Sequence, residues 1–372
     1  MKFYEESFCR RHAISDPGLL CVDSYQEANL IFAMFAVYLA LGHTLLCKTI
    51  KSATISNYLR VAAKHVVSAR RRIPNPNNIL LWQDPRIDMT TGKNASTITG
   101  VLAEVKRWEN MPNRREPLTV DMVVYQKLQC REDEPHSESA AMYDWEVFGL
   151  YSGNRLTEWA QKDGASITLN IDGTPKAFLI GDLQFRGENR RNTSLSDALC
   201  RPYLIHTIDV AWRFQKNGNN GEKKTFVRIT DNPDLCAVSA LLRIARGWKE
   251  LKLPADHPLA VYTTDGTASG EVKFIRETNI NTALQQAARQ VYNITKKEDL
   301  GHFTSHSIRV GACVALHAAN VSSLNIQHAL RWKSDSFLTY LRNLPCQAQC
   351  TARAVIEFNP NRLNLVPGAA AA

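Results

Sequence analysis

The sequence lacks several features that would each place it in a well-known class. The longest strongly apolar run, Leu30 to Leu41, has twelve residues, whereas a membrane-spanning helix needs about 20, so no membrane association is expected. Glycine and proline are modest at 18 and 15 of 372 residues, which excludes a collagen-like or low-complexity chain. There is no GxxxxGK[ST] phosphate loop and no GxGxxG fingerprint, which argues against an ATP-driven or dinucleotide-dependent enzyme.

Metal-binding and disulfide patterns are also missing. The nine cysteines are scattered and form no CxxC pair, so we expect reduced, mostly buried thiols in an intracellular protein. Acidic residues are not grouped as a metal-dependent nuclease requires. We therefore predict no metal site and no cofactor.

Positive charge is what the chain has in excess. Lysine and arginine number 45 against 36 acidic residues, a formal net charge of +9. A chain this basic suits an anionic partner, and nucleic acid is the first candidate. Apolar and charged fractions of 44% and 22% are typical of a globular protein, and the length predicts two or three domains.

Residues 1–111 predict a helical domain. Ser24 to Glu27 has the form of a capping box, and the helix that follows is apolar nearly all round, so we expect it to be buried. Residues 51–72 combine helical apolar spacing with an absence of Asp and Glu. The basic outer face of this helix suits phosphate contacts. The predicted DNA-binding side chains on it are Arg60, Lys64, Arg70, Arg71 and Arg72.

A polar segment interrupted by proline, residues 112–117, predicts a linker, and a mixed α/β domain is expected over 118–360 with an unstructured tail at 361–372. Its remaining elements are predicted as helices and four short strands. The predicted strands span residues 166–171, 177–180, 207–214 and 225–229, the last two around a hairpin turn at 216–221.

Chemistry-bearing residues recur in a fixed order through this second domain. Arg155 is followed three residues later by Glu158, and His306 and Arg309 share one face of a predicted helix. Trp332 lies 23 residues after Arg309, and Tyr340 eight residues after Trp332. Attack on a phosphodiester without metal requires three kinds of group. They are arginines, which are forked and permanently charged donors, a histidine that can carry a proton, and a tyrosine whose phenol is the nucleophile.

This set resembles the tyrosine recombinase (phage integrase-like) family. Gly149 to Glu158 is similar to the family's first arginine box, and His306 with Arg309 to its HxxR box. The residues around Lys216 and Trp332 are most similar to recombinases of eukaryotic mobile elements of the Crypton and DIRS-like kind. The resemblance covers about residues 115–345 by motif. It implies an α-helical N-terminal DNA-binding bundle and a mixed α/β catalytic domain, mainly helical with a small antiparallel sheet.

The resemblance also implies a function. The expected protein is a site-specific DNA recombinase or integrase that cleaves and rejoins DNA through a 3′-phosphotyrosyl intermediate, without metal or ATP. Double-stranded DNA would be its partner, a homotetramer on DNA its assembly, and the nucleus its location if the source is eukaryotic. The implied catalytic residues are Arg155, Lys216, His306, Arg309, Trp332 and Tyr340, with Glu158 supporting them.

Three points stay open at this level. From Arg155 to Lys216 is 61 residues, longer than in compact family members, so Lys223 and Lys224 across the same turn are rivals for the catalytic lysine. A type IB topoisomerase-like enzyme and a host-recruited, non-catalytic DNA-binding protein are the alternative functions. An apolar helical segment at residues 351–358 is a candidate for docking on a neighbouring protomer.

Overall fold

The computed structural model describes residues 3–15, 17, 24–44, 48–71, 83–109, 114–164, 166–216, 218–332, 334 and 337–341. Contacts divide the chain into two compact units, Met1–Pro112 and Asn113–Ala372. The predicted segment at 351–358, the tail and Arg72 lie outside the described residues. None of the helices within these ranges combines the length and apolarity needed to cross a bilayer.

The first unit is helical. Its elements are a π-helical turn Phe3–Cys9, α1 Tyr25–Ala40, α2 Ser52–Arg70 and α3 Ser96–Trp108. As the capping pattern predicted, Ser24 Oγ accepts the Glu27 N–H at 3.2 Å and starts α1. The core joins aromatic residues of the first turn and α1 to the apolar stripe of α2, which includes Ile55 and Leu59.

The expectation that α1 is buried all round is wrong. Phe32, Phe35 and Leu39 are buried, but the opposite side of the helix is not. Its exposed apolar side chains are Leu30, Met34, Val37 and Leu41, the first of them 54% exposed. Packing against α2 and α3 covers one side of a helix, whatever residues stand on the other.

The second unit is mostly helical with two small antiparallel sheets. Its helices are α4 Val120–Leu128, α5 Glu138–Ser152, α6 Leu156–Trp159, α7 Leu195–Cys200, α8 Ala237–Glu250, α9 Glu277–Tyr292, α10 Lys297–Leu300, α11 Ser305–Ala318, α12 Ser323–Ala329 and α13 Leu338–Leu341. Its strands are β1 Leu183–Arg186, β2 Asn192–Thr193, β3 Thr207–Trp212, β4 Glu222–Val227, β5 Val261–Thr263 and β6 Val272–Phe274.

The larger sheet has the strand order β2-β1-β3-β4, and β5 pairs with β6. The hairpin predicted around residues 216–221 is confirmed as β3 and β4, with Val210 opposite Lys224. The strands predicted at 166–171 and 177–180 are wrong, because that stretch forms loops with a single isolated bridge, Leu169 to Pro175. Short apolar runs in this region pack as loop residues instead of joining a ladder.

Close approach of α5 and α11 positions the candidate site. A Cβ on Gly149 would lie 2.4 Å from Ile308 Cγ2, so this position accepts no larger side chain without movement. Gly153 caps α5 in the left-handed conformation, with φ +56°. The two glycines bring the C-terminal end of α5 against the first turns of α11, which carry His306 and Arg309.

Candidate active site

The C-terminal end of α5 anchors three cations. Three consecutive carbonyls accept hydrogen bonds there: Tyr151 O from Lys224 Nζ at 2.9 Å, Ser152 O from Arg331 Nη1 at 3.0 Å, and Gly153 O from Arg309 Nη1. The last carbonyls of a helix have no partners within the helix and carry the negative end of its dipole, so they favour cations. The motif that begins at Gly149 therefore supplies backbone acceptors as well as a side chain.

The C-terminal end of α12 provides a second carbonyl acceptor for two of these side chains, Lys224 and Arg309. Ala329 O at the end of α12 accepts Lys224 Nζ at 2.9 Å, and Leu330 O accepts Arg309 Nη2 at 3.0 Å. Arg309 and Lys224 are thus each held between the ends of α5 and α12. Both side chains are oriented before any anion binds.

Glu158 ties two arginines together at the centre of the site. Its side chain is 1% exposed. Oε1 accepts Arg155 Nη1 at 2.8 Å and Oε2 accepts Arg331 Nη2 at 3.0 Å. Oε2 also accepts the backbone N–H of Arg155 at 3.0 Å. Glu158 lies three residues after Arg155, and its bonds to the Arg155 backbone and side chain cap the start of α6 and fix the orientation of the arginine.

The tyrosine and the histidine are in direct contact. The Tyr340 hydroxyl lies 2.8 Å from His306 Nε2. Burial, together with the Arg309, Arg115 and Arg155 guanidinium groups, lowers the pKa of His306, so the imidazole is neutral at pH 7. Burial raises the pKa of Tyr340 above that of a free phenol, against the opposing effect of Arg309. A protonated phenol thus faces a neutral imidazole that can accept its proton.

Trp332 forms a wall between the guanidinium and the phenol. The Arg309 guanidinium carbon lies 4.3 Å from the centre of the Trp332 ring, and the ring centres of Trp332 and Tyr340 are 5.4 Å apart. The indole N–H is buried and has no hydrogen-bond partner among the described residues. It is an unpaired donor in a ring that packs against the phenol.

Positive charge in this site exceeds what its carboxylate neutralises. Burial and the Arg155 guanidinium lower the pKa of Arg309 to about 9, and burial lowers the pKa of Arg331 to about 10. Both remain charged at neutral pH. Buried charges of one sign repel one another and lose hydration, so the cluster favours an added anion.

Of the three lysines considered from the sequence, the structure brings Lys224 to the site. Lys216 lies exposed in the β3–β4 loop, and Lys223 is exposed on β4. Because side chains alternate along a strand, Lys224 faces inward next to Lys223. Burial and the neighbouring Arg331 lower the pKa of Lys224 to about 8. An ammonium group with this pKa loses its proton readily near neutral pH.

The basic face predicted on α2 is present in part. Arg60, Lys64 and Arg71 are exposed. Arg70 does not belong to this face, because it is only 3% exposed. Successive residues of a helix are about 100° apart around its axis, so Arg70 lies on the inner side although its neighbour Arg71 is exposed.

Sequence reasoning missed Arg331 altogether. No local spacing marks it as a partner of Glu158, since 173 residues separate them. Its position directly before Trp332 was the available signal. Among the described residues, no group of three or more His, Cys, Asp or Glu side chains is arranged to hold a metal ion.

The fold can be compared with known structures. A mostly helical chain with a small antiparallel sheet matches the fold of tyrosine recombinase catalytic domains. The XerH site-specific recombinase, solved bound to palindromic difH substrate as a post-cleavage complex, matches with a TM-score of 0.50 at 14% identity, over 95% of this chain and 77% of that chain.

The Tn1549 transposon integrase, solved with circular intermediate DNA, matches with a TM-score of 0.40 at 15% identity, over 96% of this chain and 93% of that chain. At such identities the likeness to XerH concerns the fold alone. No protein-family model and no curated protein sequence matches the chain.

Proposed function

We propose that this protein is a DNA strand-transfer enzyme of the tyrosine recombinase type, which cleaves and rejoins DNA through Tyr340. The observation that carries the proposal is the contact of the Tyr340 hydroxyl with His306 Nε2, at 2.8 Å, beside Arg309 and Trp332. A tyrosine placed for packing alone needs neither a proton acceptor nor a surrounding excess of positive charge.

The buried cations favour a phosphodiester as the substrate. Arg155 and Arg309 are the forked donors suited to hold its non-bridging oxygens, which gain negative charge in the transition state. The Trp332 indole N–H adds a third donor. Because Glu158 and the carbonyls of α5 and α12 already orient the two arginines, little reorganisation accompanies the reaction.

Side chains of this protein can accept and supply every proton that the reaction moves. The Tyr340 oxygen attacks phosphorus and its proton passes to His306 Nε2, while the bond from phosphorus to the 5′ oxygen breaks. The products are a 3′-phosphotyrosyl link and a free 5′ hydroxyl. Attack of a 5′ hydroxyl on the link reverses these changes, so the strand is resealed without an external energy source.

Lys224 is the proposed donor of the proton to the departing 5′ oxygen. Two carbonyls take two of its three N–H donors; the third has no partner among the described residues and is the proposed proton donor to the substrate. With a pKa lowered to about 8, it matches the task of a general acid near neutral pH. In this proposal Lys224 takes the place that the sequence suggested for Lys216.

Finer aspects of the proposal rest on the resemblance in sequence. They are site-specific recombination or integration by a mobile element of the Crypton or DIRS-like kind, assembly of four protomers on double-stranded DNA, and action in the nucleus of a eukaryotic host. The mass of the protein–DNA complex, measured by light scattering, tests the tetramer directly.

Covalent trapping tests the reaction. The protein is incubated with sheared genomic DNA from its source in EDTA, denatured, and analysed for DNA that remains attached. We expect adducts with wild type and none with Tyr340→Phe, which removes one oxygen and keeps the ring. Adducts that persist in Tyr340→Phe would refute the assignment of the nucleophile, and tight binding without adducts in wild type would favour a non-catalytic binder.

A sulfur substitution tests the general acid. The site recovered from the adducts is synthesised with a 5′-bridging phosphorothioate, whose sulfur departs without being protonated. We expect Lys224→Met to cleave the oxygen substrate slowly and the sulfur substrate at the wild-type rate, whereas Lys216→Met behaves as wild type on both. The opposite pattern would assign the acid to Lys216.

A further inference from the structure

Arg331 is buried at the centre of the candidate site and contacts three of its elements. Its side chain is 1% exposed, and its guanidinium carbon lies 3.9 Å from the centre of the Trp212 ring. One arm of its fork bonds to Ser152 O and the other to Glu158 Oε2, each at 3.0 Å. The planar group thus joins the end of α5 to the carboxylate that holds Arg155.

The backbone of Arg331 is held in an unfavourable conformation. Its φ is +58°, in the left-handed region that side chains with a Cβ rarely adopt. Such a residue persists where the surrounding contacts determine it, and these positions concentrate at functional sites. The turn after α12 places Arg331 inward and leaves the next residue, Trp332, beside Tyr340.

We propose that Arg331 is a positioning residue for the strand-cleavage reaction: its guanidinium fixes Glu158, and Glu158 fixes Arg155 against the scissile phosphate. The inference rests on the proposed function. Arg331 touches neither the nucleophile nor the phosphate in this scheme, and it acts through Glu158.

The charge of Arg331 has a second effect in the same place. The Arg331 guanidinium favours the neutral form of Lys224, and the Glu222 carboxylate favours its protonated form. Within the part of the chain that the structure describes, the other groups in contact with the Lys224 ammonium are uncharged: two backbone carbonyls and the Phe226 ring, whose centre is 5.0 Å away. Loss of the Arg331 charge therefore raises the pH at which Lys224 gives up its proton.

The test measures the rate of covalent adduct formation against pH on a nicked duplex that carries the recovered site. We expect the wild-type rate to fall as pH rises through the pKa of Lys224. Arg331→Met should lower the maximal rate by on the order of 10²-fold, because Arg155 loses its fixed orientation. It should also move the alkaline fall to higher pH by about one unit. Arg331→Lys should keep the alkaline fall in place, since it keeps the charge, and still lose rate, since it lacks the fork.

Arg243→Met is the matched control. Arg243 is another arginine of this unit that bonds to a buried carboxylate, Asp144, at 2.6 Å, and the described residues show no contact between it and the site residues named above. We expect the control to keep the wild-type pH profile even if its stability falls.

The outcomes separate the inference from the function on which it rests. An Arg331→Met protein with the wild-type rate and pH profile would overturn the inference alone. The inference would also be overturned if Arg331→Met and Arg243→Met lost activity to the same extent and neither shifted the alkaline fall, because a purely structural role predicts that result. Absence of adducts from wild type would overturn the proposed function and the inference together.

Discussion

Glu146 is a buried carboxyl group that should make the protein less stable as pH rises. The side chain is fully buried in the middle of α5, and neither oxygen has a hydrogen-bond partner among the described residues. Burial alone raises the pKa of Glu146 from 4.5 to about 8. In the unfolded chain the carboxyl group ionises near its ordinary pKa, so the folded state binds one proton more between these values.

The magnitude follows from that difference. At pH 7 the folded protein keeps Glu146 protonated although its ordinary pKa is 4.5, and this lowers the free energy of unfolding by about 3 kcal/mol. At pH 5 the same effect is less than about 1 kcal/mol. This cost is absent below the unfolded pKa and grows until pH passes the folded pKa. Glu146→Gln keeps the shape and cannot ionise, so it should gain about 2 to 3 kcal/mol over wild type between pH 5 and pH 7.

Urea unfolding of the 372-residue chain at pH 5, 6, 7 and 8 measures the unfolding free energy, with tryptophan fluorescence as the signal because Trp145 lies in the same core. Glu132→Gln, which changes an exposed glutamate of the same unit, is the control and should leave the pH dependence as it is. A wild-type pH dependence that Glu146→Gln does not alter would refute the assignment of a buried, protonated carboxyl group.

Two further predictions concern helix packing and the basic face. Gly149→Ala should cost about 1 to 3 kcal/mol of stability and slow cleavage, because its Cβ meets Ile308 Cγ2 at 2.4 Å. The same change should cost less when it is made in an Ile308→Ala background, and Gly100→Ala, with nothing within 4 Å, should not destabilise. If exposed Arg60 and Lys64 contact phosphates, each change to Gln lowers the salt-dependence slope of DNA binding by about 1, whereas Arg60→Lys keeps it; an unchanged slope in the Gln variants would remove α2 from the interface.

Local patterns predicted the helices of this protein well. Ser24 starts α1 where the capping pattern indicated. Helical periodicity also predicts helices at residues 138–150, 236–251, 279–291 and 305–319, and α5, α8, α9 and α11 begin and end within two residues of these bounds. Helical periodicity and caps depend on residues three or four positions apart, so the information is contained in the local chain. The strands at 166–171 and 177–180 failed because a strand also needs a distant partner, which a short apolar run does not specify.

The candidate site divides in the same way. Arg155 with Glu158, and His306 with Arg309, are local pairs on a cap and a helix. Neither spacing identified a site by itself; their order along the chain together with Trp332 and Tyr340, and the resemblance that this order carries, singled them out. The resemblance implied that Tyr340 and His306 belong to one catalytic set, whereas their direct contact, across 34 positions, required the fold.

Only the tertiary structure shows that Arg331 and Lys224 belong to the candidate site. Arg331 reaches Glu158 across 173 positions, and Lys224 reaches Ala329 O across 105; no local spacing encodes either contact. Which hairpin lysine faces inward depends on the register of β3 against β4, and a shift of one residue would turn Lys223 inward instead. The sequence by itself determined the helices and the types of side chain that carry the chemistry, since these depend on neighbours in the chain. Tertiary structure decided which cations meet, because their shared anchors are carbonyls at the ends of helices distant in sequence.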